Sequence, residues 1–313
     1  MNWYKLTPVD TLFFKGASPM NLGENHTAAH IFPPPAHTIS GALRTTMLIQ
    51  NNVSFEDYGN GINTPNEIIE TVGKAGHQAP FILTGPLFMQ DGVIYVPAPY
   101  SWFVQKEKSE GNVNVIRGKL IKSRLLKCES TELIWATGES GEIVSLGGKW
   151  IKKNDLHSAG NTVEIKKSTD FYKNEPRTGI ALKKNRRVRD GHLYSFNHAR
   201  LKKDVCLIFG VDKPLLMADQ GVLKIGAEQR FGWYKKMSNP QLDFEENGDM
   251  FLSLSVFEKN EMANESIIAT GKILYFGGWD LHKGFHKPMK GFFPAGTVFN
   301  QKLHQNFITI KGE

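Results

Sequence analysis

Cysteine is nearly absent: the 313 residues contain two, Cys128 and Cys206. So few exclude a disulfide framework, and neither stands in a CxxC or Cys/His spacing suited to a structural zinc. Long apolar runs are also missing. No stretch approaches the ~18 apolar residues of a membrane-spanning helix. The opening "MNWYKLTPVD" lacks the apolar core of a signal peptide, so a cytoplasmic protein without membrane partners is expected. GK[ST], GxGxxG, the nucleophile elbow, HExxH and paired-carboxylate patterns are absent as well. The expectation is therefore no cofactor and no metal.

What is present describes a globular chain. Hydrophobic residues make up 40%, and mean hydropathy is −0.33. Lys and Arg number 38 against 31 Asp and Glu, a net +7, with a pI near 9.2. The excess is mild; it favours a polyanionic partner only if the cations cluster. They do in one place, Lys183 to Arg189, which holds five cations and no acid. Lys183, Lys184, Arg186, Arg187 and Arg189 read as one basic block.

Local patterns place the elements. Imperfect alternation predicts a strand over 2–9. A loop rich in Gly, Pro and Asn follows, carrying Lys15 and the histidines His26, His30 and His37. "FPPPAHTISGALRTTMLIQ" then predicts a helix with Thr38 as N-cap. Ile39, Leu43 and Met47 form one stripe, with Ala42 and Ile49 beside it; Gly41 lies opposite and Arg44 well off the stripe. Arg44 is either a solvated side chain or a cation facing an anionic ligand. "PFILTGPLFMQDGVIYVPAP" predicts two strands around Asp91-Gly92. Residues 105–165 read as an insertion, whose cations Arg117, Lys119, Lys122, Arg124 and Lys127 suit a solvated face. "HLYSFNHARL" and "VCLIFGVD" predict a strand pair across Lys202-Lys203-Asp204. "PLLMADQGVLKIG" predicts a short helix, and further strands follow to the end. Without the insertion the order is β-α-β-β-α-β, that of a ferredoxin-like fold.

"IGAEQRFGWYKK" is the most informative later stretch. Gly226 and Gly232 bracket Glu228, Gln229 and Arg230. Glycine turns let backbone N–H groups approach a phosphate. Lys235 and Lys236 add charge, and Phe231, Trp233 and Tyr234 add flat surfaces. That composition suits a single-stranded nucleic-acid platform; a helix C-cap followed by an aromatic strand fits as well. The loop histidines suit either polar surface or general acid–base work on a 2′-OH.

The segments "DTLFFKGASP", "FPPPAHTISGALRT", "TGPLF…IYVPAP", "EPRTGI", "GHLYS", "KIGAEQRFG" and "GGWDLHKGFHKPMKGFFPAGTVF" occur in that order. Together they resemble the third-subunit family of the Cmr complex, the type III-B CRISPR effector, among the repeat-associated mysterious proteins (RAMPs). The resemblance runs from Asp10 to Phe299. It implies an α+β architecture of ferredoxin-like (RRM-like) β-α-β-β-α-β domains with a large insertion. The domains expected are 1–240, with the insertion at about 99–175, and a smaller one at 241–313. It implies a glycine-rich loop after the second helix, here Ile225 to Gly232, with Ala227 where the family often has a second glycine. It also implies a non-catalytic role. Such a subunit grips the 5′ repeat-derived tag of the CRISPR RNA, docks on the large polymerase-like subunit and neighbours the backbone RAMP subunit. The RNA-binding residues expected on this basis are Lys15, Gly41, Arg44, Arg177, Lys183, Arg186, Arg187, Gly226, Glu228, Gln229, Arg230, Gly232 and Lys235. Two other roles stay open: a RAMP-type endoribonuclease using His26 or His30 near Lys15, and the corresponding type III-A subunit.

Overall fold

The computed structural model describes residues 1–16, 27–28, 30–122, 132–136, 141–158, 160–238, 242, 244, 248–280 and 285–311. His26, Arg124, Lys127 and Cys128 lie outside the described residues. The chain forms two compact units. One comprises Met1–Pro86, Phe171–Ser238 and Tyr275–Met289; the other comprises Leu87–Asp170, Asn239–Leu274 and Lys290–Glu313. This division differs from the expected 1–240 and 241–313, because the inserted region groups with the tail instead of decorating the first domain.

The first unit opens with β1 (Asn2–Pro8), whose Tyr4 and Leu6 are buried while Lys5 and Thr7 face solvent. Helix α1 (Ala36–Gln50) is capped by Pro35 at φ −66°, without a side-chain cap. The expected N-cap, Thr38, lies inside the first turn, where its N–H bonds to Pro35 O at 2.9 Å. A proline ring already fixes φ near −65°, so the turn starts there. Ile39, Leu43 and Met47 are fully buried, as their spacing predicts, whereas Ile49 is exposed. Thr46 and Leu48 take its place, and the buried band is broader than one stripe.

Two short helices follow, α2 (Phe55–Asn60) and α3 (Asn66–Val72), then β2 (Leu83–Gln90). Asp91 and Gly92, at φ 50° and 80°, turn the chain tightly so that Gln90 faces Val93. Two consecutive positive φ values are the requirement of a type I′ hairpin.

β3 (Tyr172–Leu182) and β4 (Val188–Leu201) form a long antiparallel arm, in register from Tyr172↔Leu201 to Ile180↔Leu193, with a register shift before the last pair, Leu182↔Val188. β5 (Val205–Val211) is buried at every residue. The predicted pairing of its segment with "HLYSFNHARL" does not occur. β4 pairs with β3, and β5 pairs with β1 through Leu6↔Leu207 and Tyr4↔Phe209. A strand apolar on both faces needs neighbours and cover on both sides, so it takes a central place. The turn at Asp204, φ 61°, redirects the chain instead of folding it back.

The second predicted helix is absent. Residues 213–219 are irregular, and β6 (Gln220–Lys224) forms a hairpin with β7 (Phe231–Lys236). The apolar residues here alternate in strand fashion, Leu223 inward and Val222 outward. Gly221 gives Tyr234 room: a Cβ there would sit 2.9 Å from the ring. The strand order is β6-β7-β1-β5-β2. Tyr4 stacks on Phe209 at 5.5 Å. Gln50 ties α1 to this sheet, donating to Tyr234 Oη at 2.9 Å and accepting from Ala218 N at 2.8 Å.

In the second unit, strands Val93–Pro97, Trp150–Lys152, Thr162–Lys166 and Gly111–Asn114 follow one another in the sheet. A second core gathers Phe293, Phe299 and Phe307 against Ala263 of the helix Glu261–Ser266. Within the inserted region Arg117 is held structurally. It donates to Ser158 O and Asn161 Oδ1 at 3.0 Å each and lies 5.0 Å over the Trp102 ring. Among the described residues, no helix is long and apolar enough to cross a membrane.

Candidate nucleic-acid interface

The basic block is the tip of the β3–β4 arm. The turn is fixed by its own backbone: Lys183 N–H bonds to Arg187 O at 2.8 Å and Arg186 N–H to Lys183 O at 2.9 Å. Asn185 Oδ1 accepts from Arg187 N–H at 3.2 Å. Lys183, Lys184, Arg186, Arg187 and Arg189 are all exposed. A bonded turn therefore presents a dense cationic knob.

At the base of the arm, three arginines meet two carboxylates. Asp10, just past β1, accepts from Arg177 at 2.8 Å, Arg200 at 2.9 Å and Arg230 at 3.2 Å. Glu175 accepts from Arg177 at 2.8 Å and also pairs with Arg200. The strand period explains the geometry: Glu175 and Arg177 lie two apart on one face of β3, and β4 brings Arg200 alongside. Arg177 and Arg230 were expected site residues, and Asp10 brings them together. Arg200, Glu175 and Asp10 were not expected as site residues, although "DTLFFKGASP" and "EPRTGI" contain two of them. His198 lies beneath, fully buried, with Nδ1 3.1 Å from Thr11 Oγ1 and its ring 5.2 Å from that of Phe13.

The junction titrates in a definite direction. Hydrogen bonds from Arg177 hold the Asp10 carboxyl down to about 2, and those from Arg200 and Arg177 hold Glu175 down to about 2. Burial lowers the His198 pKa, and the charges of Arg230 and Arg177 lower it further. A carboxyl with a depressed folded pKa contributes stability above its unfolded value and loses it as pH falls through the folded one. A histidine with a depressed pKa acts in the same direction, because below its ordinary value the unfolded chain takes up the proton first. Stability should thus begin to fall just below neutral pH and fall faster between the ordinary carboxylate range and pH 2. Urea unfolding at a series of pH values checks this, and Asp10→Asn should flatten the acid limb. A limb of unchanged steepness would remove the junction from the account.

The loop Ile225 to Gly232 joins β6 to β7 and does not follow a helix. Ile225 N–H bonds to Arg230 O at 2.9 Å, and Ala227 N–H bonds to Phe13 O at 2.9 Å. Gly226, Glu228 and Gln229 all have positive φ, at 94°, 60° and 51°. Glu228 and Gln229 are exposed, whereas Arg230 turns inward to Asp10. Gly232 is buried in β7, where a Cβ would meet Leu6 Cδ1 at 2.7 Å. Lys235 is exposed, and Tyr234, expected as a flat contact surface, is buried.

Among the described residues, Gly41 and Arg44 share no partner with this junction. Gly41 is exposed, with open space around a virtual Cβ. The Arg44 guanidinium donates to His77 O at 2.8 Å, Lys74 O at 2.7 Å and Tyr58 Oη. Tyr58 in turn donates to Gly73 O at 2.7 Å. Arg44 thereby ties α1 to α2 and to the turn after α3. A helical wheel shows it off the stripe but not that other helices cover that side. Arg44→Ala should therefore lower stability by about 1–2 kcal/mol, below the ~1.5–3 kcal/mol of a charged hydrogen bond because the site is part exposed. RNA affinity should stay within about twofold. A wild-type melting temperature with weakened RNA binding would return Arg44 to the interface. Lys15 forms an isolated antiparallel bridge with His30, and burial lowers the His30 pKa.

The exposed cationic arm, the arginine junction and the strand-rich sheet define an α+β protein suited to a polyanion. The profile of the family described as CRISPR-associated protein (Cas_Cmr3) matches residues 4–249, and the chain belongs to that family. Comparison with curated protein sequences finds no match. The fold is similar to a chain in the cryo-EM structure of the type III-B Cmr-beta bound to cognate target RNA and AMPPnP. The TM-score is 0.58 at 13% identity, covering 95% of this chain and 85% of that one. A chain in the structure of type III-B Cmr-beta bound to cognate target RNA matches at TM-score 0.57 and 16% identity, covering 96% and 87%.

Proposed function

We propose that this chain is a non-catalytic, RNA-gripping subunit of a type III-B CRISPR effector in cytoplasmic antiviral defence. It holds the 5′ repeat tag of the CRISPR RNA, docks on the large polymerase-like subunit and adjoins the backbone RAMP subunit. The observation that carries this reading is the arm: five cations on an exposed bonded tip, its base joined through Asp10 to the Gly226 loop. Membership of a CRISPR-associated family supports reading the polyanion as CRISPR RNA. The β7-β1-β5-β2 order supports reading the first unit as ferredoxin-like, with an irregular segment and β6 in place of the second helix. RNA contacts fall to the arm tip, Lys15, Lys235 and the exposed loop residues Glu228 and Gln229. Arg177 and Arg230 position that loop against the arm.

The purified chain should bind single-stranded tag RNA over duplex DNA. If four or more phosphates are neutralised, the log–log salt slope should reach about −3 or steeper. Incubation with repeat RNA should leave it intact. Specific cleavage lost on His30→Ala would replace this reading with the endoribonuclease one, and salt-independent binding would refute the arm as the contact.

A further inference from the structure

The outer face of β6, β7 and β1 is built unlike a plain solvated sheet. An antiparallel sheet covered on one side normally alternates apolar inward and polar outward. The inward residues Leu6, Leu223 and Tyr234 obey this. The outward ones do not: Trp233 is 59% exposed, Phe231 41% and Val222 40%. Their registers form cross-strand rows. Thr7, Trp233 and Val222 make one row, and Lys5, Lys235 and Gln220 the next. Phe231 lies opposite Lys224.

The lysine row breaks a pairing rule. Lys5 and Lys235 stand directly opposite each other, and like charges so placed destabilise a sheet. The three strands, NWYKLTP, QGVLK and FGWYKK, contain no acid to offset them. Lys236 has Asp219 at 3.6 Å, but neither Lys5 nor Lys235 has an ion-pair partner among the described residues. Unpaired ammonium groups beside exposed aromatic rings call for a ligand with both negative charge and flat apolar faces.

We infer that this face is a second single-strand RNA platform, on which Trp233 and Phe231 each stack a base while Lys5, Lys235 and Lys224 contact the phosphates. Residues two apart on a strand are separated by roughly 6.8 Å, about twice the ~3.4 Å step of stacked bases. Two bases on Trp233 and Phe231 are therefore splayed apart, the form in which proteins stack single-stranded RNA on aromatic side chains. Such stacking is sequence-tolerant because every base has a π-face. An acidic peptide would satisfy the lysines but has no counterpart for two separately exposed rings. The inference rests on the RNA-binding reading above and extends it from the arm to the sheet.

The test uses the full chain and a fluorescein-labelled single-stranded RNA of mixed sequence, with melting temperature as the folding control. Trp233→Ala should weaken binding about 5- to 150-fold, the range for loss of one stacked base, without altering the salt slope. Trp233→Phe should restore most of the affinity. Lys5→Gln with Lys224→Gln should flatten the log–log slope by about 1.4, two single-strand contacts' worth. If the wild-type chain binds and Trp233→Ala binds equally well, the platform is wrong while the arm stands; loss of subunit association in that variant would make the face a protein contact. Failure of the wild-type chain to bind RNA would overturn both.

Discussion

Gly226→Val is expected to destabilise the first unit more than any other single substitution considered. Two costs add. Gly226 has φ 94°, a conformation costing a residue with a side chain roughly 1–3 kcal/mol. A Cβ there would also lie 2.8 Å from Phe13 O. That oxygen already accepts from Ala227 N–H, so the contact cannot open without breaking the bond that seats the loop. Overpacking of this kind adds roughly 1–3 kcal/mol. Domains of 150–250 residues lose roughly 2–4 °C per kcal/mol, so melting should fall by roughly 5–20 °C and RNA affinity with it. Gly41→Ala is the counterpart. Gly41 sits inside α1 with nothing within 4 Å of a virtual Cβ, so alanine should stabilise by about 0.5–1 kcal/mol. Thermal unfolding of both variants checks the contrast, and a Gly226→Val protein melting within a degree or two of wild type would sink it.

The contrast also shows what the sequence conveys. α1 was legible because Ile39, Leu43 and Met47 repeat at helical spacing, and the Asp91-Gly92 hairpin because its residues tolerate positive φ. Both signals are local. The second helix was misread because "PLLMADQGVLKIG" is apolar without enough length to separate a period of 3.6 from one of 2. Residues 220–224 of it form a strand instead, in which Gly221 leaves room for Tyr234 of the neighbouring strand. The arginine junction was half legible. "EPRTGI" and "KIGAEQRFG" drew attention to Arg177 and Arg230, but their shared partner is Asp10, 167 and 220 residues away in sequence. No local pattern encodes such a pairing. The partners of Arg44 were illegible for a related reason, since a residue off the core stripe looks free until Tyr58, Lys74 and His77 are seen around it.

Reversing all five cations of the arm tip to glutamate should lower affinity for tag RNA by more than about a hundredfold near 0.15 M salt. The five stand within seven residues on a turn whose backbone bonds and Asn185 contact involve none of their side chains. The reversal leaves the hairpin its own scaffold, and melting temperature should barely move. If three to five of the cations face phosphates, their loss flattens the log–log salt slope by about 2–3.5, at 0.7 per single-strand contact. Each glutamate then adds repulsion where attraction stood. Single alanines behave differently: one exposed charge contributes at most about 1 kcal/mol, and its neighbours can cover the same phosphate, so each should cost no more than about fivefold. A steep collective loss with shallow individual ones is the signature of a cationic knob reading a backbone rather than of one specific contact. Wild-type affinity after the fivefold reversal would assign the tip to solvation and move the RNA contact off the arm.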